Sequence, residues 1–290
     1  MDRTVTDTPV PASGSFSIAN ELDVHRLGFG AMRLAGDGVW GPPDDRDEAI
    51  AVLRTAVDLG VTLIDTADSY GPDISEELIA EALHPYPDDV VIATKAGLVR
   101  GGPSDWRADG RPEHLRDACE GSLRRLKLDA IDLYQLHRID NRVPTEEQIG
   151  TLIELREEGK IRHIGLSEVT ADRLDHVRQM VEVATVQNRY NLTDRGWDDV
   201  VDVCAANSIG FIPWFPIATG RLARPGGVAD EIARAHDATP AQIALAWLLR
   251  RSPTMLPIPG TSSVEHLREN CAAATVELSD DDYDRLTAAI

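Results

Sequence analysis

An apolar run that stops on an ionisable side chain is costly in a protein interior unless that group is paired or used. This chain does so repeatedly. Val61-Thr62-Leu63-Ile64 stops on Asp65, Val90-Val91-Ile92-Ala93-Thr94 on Lys95, and Ile131 to Leu136 on His137. Ile161 to Leu166 stops on Ser167, and Ala184-Thr185-Val186 on Gln187 and Asn188. Tyr70 follows soon after the first of these, in Asp65-Thr66-Ala67-Asp68-Ser69-Tyr70-Gly71. If the runs are parallel strands roughly 5 Å apart, Asp65, Tyr70, Lys95 and His137 can meet at one mouth. A phenol is a weak acid near neutral pH, with a pKa of about 10. An ammonium beside it favours the ionised form, so Lys95 is expected to lower the pKa of Tyr70. Asp65 is the counterion that a buried ammonium needs. Tyr70 would then give or take a proton in carbonyl reduction or alcohol oxidation, with His137 hydrogen-bonded to the substrate oxygen. Taken singly, each residue has a plainer reading: a turn cap, a solvent-reaching lysine, a packed histidine or tyrosine. The joint pattern across three successive strands favours chemistry.

The elements that must position these residues alternate strand and helix. A hairpin is expected around Phe16–Ile18 and Leu22–Val24, followed by a strand reaching Leu27-Gly28-Phe29-Gly30. Helical spacing over Asp45 to Leu59 ends at Gly60, and a second helix runs from Ser75 to Leu83. Gly97 to Gly110 reads as a long glycine-rich loop before a helix with Pro112 in its first turn, ending near Leu126. Thr145 is expected to cap the helix that runs to Gly159. Helices are expected over Ala171–Val181 and Gly196–Asn207, from Val228 and Pro240, over Val264–Ala274 and from Asp280. Strands are expected over Gly210–Trp214 and Met255–Ile258. About eight strand–helix units fit a (β/α)8 TIM barrel, an α/β fold whose chemistry sits at the C-terminal ends of its strands. The expected form has an N-terminal β-hairpin and a short C-terminal helix. Residues 1–14 read as a frayed polar tail, and 15–290 as one barrel domain.

Composition agrees with a single large core and narrows the partners. The chain has 290 residues, 42% hydrophobic, with a net charge of −20. That balance argues against nucleic acid, which needs a basic face. No stretch reads as a membrane span or as the apolar segment of a signal peptide, so the expected location is cytoplasmic. Lys95, Lys127 and Lys160 are the only lysines. Cys119, Cys204 and Cys271 are scattered, read as reduced thiols, and carry no metal-ligand spacing. No metal is expected.

The motifs Asp65–Gly71, Thr94-Lys95, Leu133-Tyr134-Gln135-Leu136-His137, Gly165-Leu166-Ser167 and Val186-Gln187-Asn188 resemble, in order, those of the aldo-keto reductases. The resemblance covers roughly Leu22 to the end. It implies NADPH-dependent carbonyl reduction with the tetrad Asp65, Tyr70, Lys95 and His137, and Tyr70 as general acid. It also implies that Ser167 and Gln187 hold the nicotinamide amide. Glu168 stands where the family usually has Asn. Trp214 would stack under the nicotinamide, and Phe215, Pro216, Gly220 and Arg221 would fold over the pyrophosphate. Gly30, Met32 and Arg33 belong to the cofactor side of the mouth. Gly260, Thr261 and Ser262 open a helix suited to the adenosine phosphate. Glu269 and Asn270 would hold adenine. Many relatives carry Lys and Arg for the 2′-phosphate where this chain has Gly260 and His266, so NADH stays open beside NADPH.

Gly30–Gly36, Gly38–Pro43, Ala238–Leu249 and Pro257–His266 are similar to a narrower branch, the bacterial pyridoxal reductases (pyridoxine 4-dehydrogenases). The substrate mouth is expected to be lined by Trp40, Trp106, Arg138 and Arg33, with Trp214 beside them. Aromatic and Arg side chains suit a flat polar ring or an aromatic aldehyde. The alternatives are a general aldehyde reductase and a non-catalytic, NADPH-binding regulatory barrel. A hydrolase using Asp65 and His137 would leave Lys95 and Tyr70 without roles. The expected partner is a small carbonyl compound, and the expected state a monomer or weak homo-oligomer.

Overall fold

The computed structural model describes residues 8–217 and 227–289. Its main sheet is built from parallel strands β3 (Phe29–Gly30), β4 (Leu63–Asp65), β5 (Val91–Ala96), β8 (Ile131–Leu136), β9 (Ile161–Ser167), β10 (Thr185–Gln187) and β11 (Gly210–Phe211), in that spatial order. Residues 254–257 take the eighth place. On one side Phe211 N donates to Thr254 O at 2.8 Å and Leu256 N to Phe211 O at 2.8 Å. On the other, Gly28 N donates to Pro257 O at 2.9 Å, which closes a (β/α)8 barrel. The expected strand at Met255–Ile258 is therefore present as an irregular segment. Pro257 and Pro259 have no N–H to donate, so a regular ladder cannot form there.

The expected hairpin is β1 (Ser15–Ile18) paired antiparallel with β2 (Leu22–His25). Ile18 and Val24 pack against Leu63, Val91, Leu133 and Leu256, which closes the barrel floor and leaves the opposite end for chemistry. Described residues before 15, expected as part of a polar tail, also pack on the barrel. Val10–Ser13 form a short 3-10 helix with Val10 buried, and Val10 N donates to Leu59 O at 3.3 Å.

Helices α1 (Arg46–Asp58), α2 (Ile74–Leu83), α3 (Pro112–Leu126), α4 (Thr145–Glu157), α5 (Ala171–Arg178), α6 (Asp198–Ala206), α7 (Val228–Ala235), α8 (Pro240–Arg251), α9 (Val264–Ala272) and α10 (Asp280–Ala288) follow the expected order. Two local expectations are corrected. Thr145 is the first residue of α4 rather than its cap: Pro144 holds the cap position, and Thr145 Oγ1 accepts from Arg173 Nη1 at 2.7 Å. The glycine-rich stretch after Lys95 is no loop but a second hairpin, β6 (Leu98–Gly102) with β7 (Asp105–Ala108). Its register shifts between Arg100 and Gly102, so the alternation of a regular strand is broken there. Among the described residues, no helix is long and apolar enough to cross a membrane.

Candidate active site

Parallel register sets the site. Lys95 pairs with Gln135, Gln135 with Gly165, and Gly165 with Thr185; two residues further on, Ser167 pairs with Gln187. Side chains two apart on a strand share a face. Lys95 and Asp65 are fully or almost fully buried, and Lys95 Nζ donates to Asp65 Oδ1 at 2.6 Å. The same ammonium donates to Thr66 O at 2.8 Å and to Tyr70 Oη at 3.5 Å. All three of its donors are thus used. Asp65 Oδ2 accepts from Gln135 Nε2 at 3.0 Å and Gln187 Nε2 at 2.8 Å. The Tyr70 and His137 rings meet edge to face, 5.8 Å between centroids. The expected tetrad is assembled.

Burial outweighs Lys95 at the phenol. Desolvation raises the pKa of Tyr70, and the ammonium only partly offsets it. Lys95 acts in the expected direction, and with burial the larger influence the phenol keeps its proton, the form a general acid needs. Burial also works against the Lys95 charge, but the Asp65 carboxylate, helped by the hydrogen bond to Tyr70 Oη, prevails and its pKa rises. His137 is pushed well below the usual imidazole value by burial, and then by Lys95 and Arg138, so it is neutral. Ser69 Oγ lies 3.4 Å from His137 Nδ1; a hydroxyl donated there leaves the ring proton on Nε2.

Arg138 joins the two halves of the mouth. Its Nη1 donates to His137 O at 2.6 Å and to Ser167 Oγ at 3.0 Å. Gln187, expected on the nicotinamide amide, donates through Nε2 to Asp65 Oδ2 at 2.8 Å and extends the polar layer under Lys95. Glu168 sits beyond β9 with φ 55°, and its Oε1 accepts from Trp214 Nε1 at 2.6 Å and from Arg189 N at 2.7 Å. It fixes the indole expected under the cofactor. Phe215 lies against Trp214 at 6.5 Å between centroids, and Pro216 is buried beside them in the chain. Gly220 and Arg221 lie outside the described residues.

The expected adenosine side is brought together across the barrel seam. A Cβ on Gly260 would stand 2.5 Å from Gly30 O, and one on Gly30 would stand 2.7 Å from Ile258 O. The close approach explains why no lysine stands at 260. The same point is 3.6 Å from Arg33 Cγ, so an exposed cation from the 3-10 helix Ala31–Leu34 lies alongside, with Met32 half-buried beside it. Thr261 is buried, with its Oγ1 accepting from Ser263 N at 3.1 Å, whereas Ser262 and His266 are exposed at the start of α9. Glu269 is half-buried and Asn270 buried further along it. These residues fit an anionic dinucleotide better than the net charge alone suggests.

Sequence reasoning missed three residues here: Gln135, Ser69 and Arg100. Gln135 carried a signal, because it lies two residues before His137 and so shares its face. Ser69 and Arg100 carried none that separates them from ordinary loop and surface side chains. Cys119, Cys204 and Cys271 are buried, and burial pushes each thiol up to about 12, so they are inert.

A closed parallel barrel with a buried Asp–Lys–Tyr–His group at its C-terminal mouth defines a barrel oxidoreductase. The chain belongs to the aldo/keto reductase family, whose model matches residues 26–290. It is an NAD(P)H-dependent oxidoreductase. It is 47% identical over 287 residues to an uncharacterized oxidoreductase of Schizosaccharomyces pombe, covering 99% of this chain and 94% of that one. It is 44% identical over 276 residues to pyridoxine 4-dehydrogenase of Escherichia coli, covering 93% and 96%. A solved aldo-keto reductase of Klebsiella pneumoniae in complex with NADPH superposes with a TM-score of 0.80 at 30% identity, covering 94% of each chain.

Proposed function

We propose that this protein reduces aldehydes and ketones to alcohols with NADPH, Tyr70 acting as the general acid, and that pyridoxal-like aromatic aldehydes are its substrates. The observation that carries the reading is Lys95 Nζ placed 2.6 Å from Asp65 and 3.5 Å from a neutral, buried Tyr70. When bound, the nicotinamide supplies the hydride. Tyr70 holds the proton for the carbonyl oxygen, and as that proton leaves, the adjacent ammonium stabilises the phenolate. Asp65, held by Gln135 and Gln187, keeps the ammonium in place. His137, neutral, hydrogen-bonds the carbonyl and orients it toward Tyr70. Arg33 and the amides at the start of α9 would take the cofactor phosphates, and Ser167, Gln187, Glu168 and Trp214 would hold the nicotinamide. The likeness to pyridoxine 4-dehydrogenase supports the substrate class.

The test is NADPH oxidation with pyridoxal and with 4-nitrobenzaldehyde, run in parallel with NADH. Turnover that favours NADPH and is lost in Tyr70→Phe, with the cofactor still bound, is the expected result. Tight NADPH binding with no turnover on either aldehyde would overturn the proposed aldehyde reduction.

A further inference from the structure

Arg100, in the hairpin that follows Lys95, has every donor committed to main chain. Its Nε donates to Asp105 O at 3.2 Å, Nη1 to Val39 O at 2.7 Å and Ser69 O at 3.1 Å, and Nη2 to Gly38 O at 2.9 Å and Gly102 O at 3.2 Å. A guanidinium has five N–H groups, and here all five are used. They tie together three segments: the Gly36–Gly41 loop, the catalytic loop at Ser69, and both strands of the hairpin. The face of the guanidinium lies 3.6 Å from the centre of the Trp106 ring and 5.6 Å from that of Trp40. Trp40 and Trp106 are the large hydrophobic side chains left exposed among the described residues, each at 36%. Trp106 in turn sits edge-on to Tyr70 at 6.3 Å and to His137 at 6.5 Å.

We propose that Arg100 is the positioning residue that assembles Trp40 and Trp106 into one aromatic wall beside Tyr70 and His137, and that this wall selects flat aromatic or heteroaromatic carbonyl compounds over small aliphatic ones. The inference rests on the reductase reading and adds to it the device that discriminates. An exposed indole face next to a reacting centre is stabilised when a second ring covers it. A short aliphatic aldehyde offers no ring to cover that face. Lysine cannot replace Arg100, because it has three donors and no plane to stack on indole.

The experiment measures kcat and KM for 4-nitrobenzaldehyde and for propanal, with NADPH, in the wild type, Arg100→Lys, Arg100→Met and Trp106→Leu. Both Arg100 variants are expected to raise KM for 4-nitrobenzaldehyde about tenfold more than KM for propanal, with any change in kcat that comes through the Ser69 loop shared by the two aldehydes. Trp106→Leu, with Arg100 intact, is expected to raise KM for 4-nitrobenzaldehyde more than for propanal, and it carries the test if the Arg100 variants do not fold. Equal KM increases for both aldehydes, or a loss of kcat alone, would overturn the proposal by making Arg100 a general support of the fold. Absence of wild-type turnover on both aldehydes would overturn the reductase reading, and the inference with it.

Discussion

Glu168 Oε1 accepts the indole N–H of Trp214 at 2.6 Å, and the same oxygen accepts the main-chain N–H of Arg189 at 2.7 Å. One carboxylate oxygen thus locks a ring on the β11 side of the mouth to the chain just beyond β10. Glu168 holds this geometry from a left-handed backbone position, φ 55°. A hydrogen bond to a charged group contributes about 1.5–3 kcal/mol, and less at a half-exposed site. Glu168→Ala should release the indole. The expected outcome is a shifted tryptophan emission maximum and NADPH affinity weaker by roughly tenfold, about 1.4 kcal/mol. Glu168→Gln keeps an acceptor and should stay close to the wild type. Titration of intrinsic fluorescence with NADPH checks both, and an unchanged emission in the Ala variant would show that the clamp does not hold Trp214.

Lys95 and Asp65 make a buried pair, so losing one partner strands the other. Lys95→Met leaves the Asp65 carboxylate with only Gln135 and Gln187 as donors. The expected cost is about 3–5 kcal/mol of stability, read as a lower urea midpoint. Lys95→Met combined with Asp65→Asn should recover part of it. The pH dependence has a definite sign. The Lys95 pKa is raised above 10.5, so its contribution is complete below that value and is lost as pH climbs through the higher folded pKa. Tyr70, raised above 10.0, acts in the same direction. The wild type should therefore lose stability in alkali, and Lys95→Met should lose less.

His137 works on the acid side. Its pKa is depressed well below 6.5, so the unfolded chain takes up a proton at mildly acid pH that the folded protein refuses. Its contribution is intact above 6.5 and is lost as pH falls from there toward the folded pKa. Urea unfolding at pH 7.5 and pH 5.5 should show a larger acid loss in the wild type than in His137→Asn. The same depression predicts no inflection near 6.5 in kcat/KM for aldehyde reduction. An inflection there that disappears in His137→Asn would mean the imidazole titrates and is not held neutral.

Asp65, Lys95 and His137 were legible because each ends an apolar run, with Tyr70 in the loop just beyond the first, and parallel strands bring their ends together whatever the loops do. The hairpin at Leu98–Ala108 was not. Gly101, Gly102 and Pro103 read as loop punctuation, and the register shift between Arg100 and Gly102 removes the alternation that marks a strand. Arg100 looked like any surface arginine, since its partners are backbone carbonyls, which no sequence pattern marks. The Lys95 effect on Tyr70 has the sign the sequence suggests, but the burial that outweighs it was hidden for a related reason. Lys95 was visible in the sequence, but the depth of burial around the phenol was not, and burial prevails. The eighth strand was read correctly in place but not in form, because Pro257 and Pro259 interrupt its donors while leaving its carbonyls available to Gly28.

Gly165 shows how closely the layer beneath the site is packed. It pairs with Gln135 on one side and Thr185 on the other, and both side chains lean into the space where its own would be. A Cβ at Gly165 would collide with Thr185 Oγ1 and stand 2.7 Å from Gln135 Cγ. Neither neighbour can retreat freely. Gln135 is buried and donates to Asp65 at 3.0 Å, and Thr185 is buried on the adjacent strand. Gly165→Ala should cost about 1–3 kcal/mol through overpacking, measured by urea unfolding. It should also reduce activity, because the displaced Gln135 is one of the donors that fix Asp65, and Asp65 fixes Lys95. If the cost is only steric, Thr185→Ala in the same chain, which removes the colliding Oγ1, should restore stability with activity following, whereas Thr185→Ser, which keeps that oxygen, should restore less. Restored stability without restored activity would place the damage in the Gln135–Asp65 hydrogen bond instead.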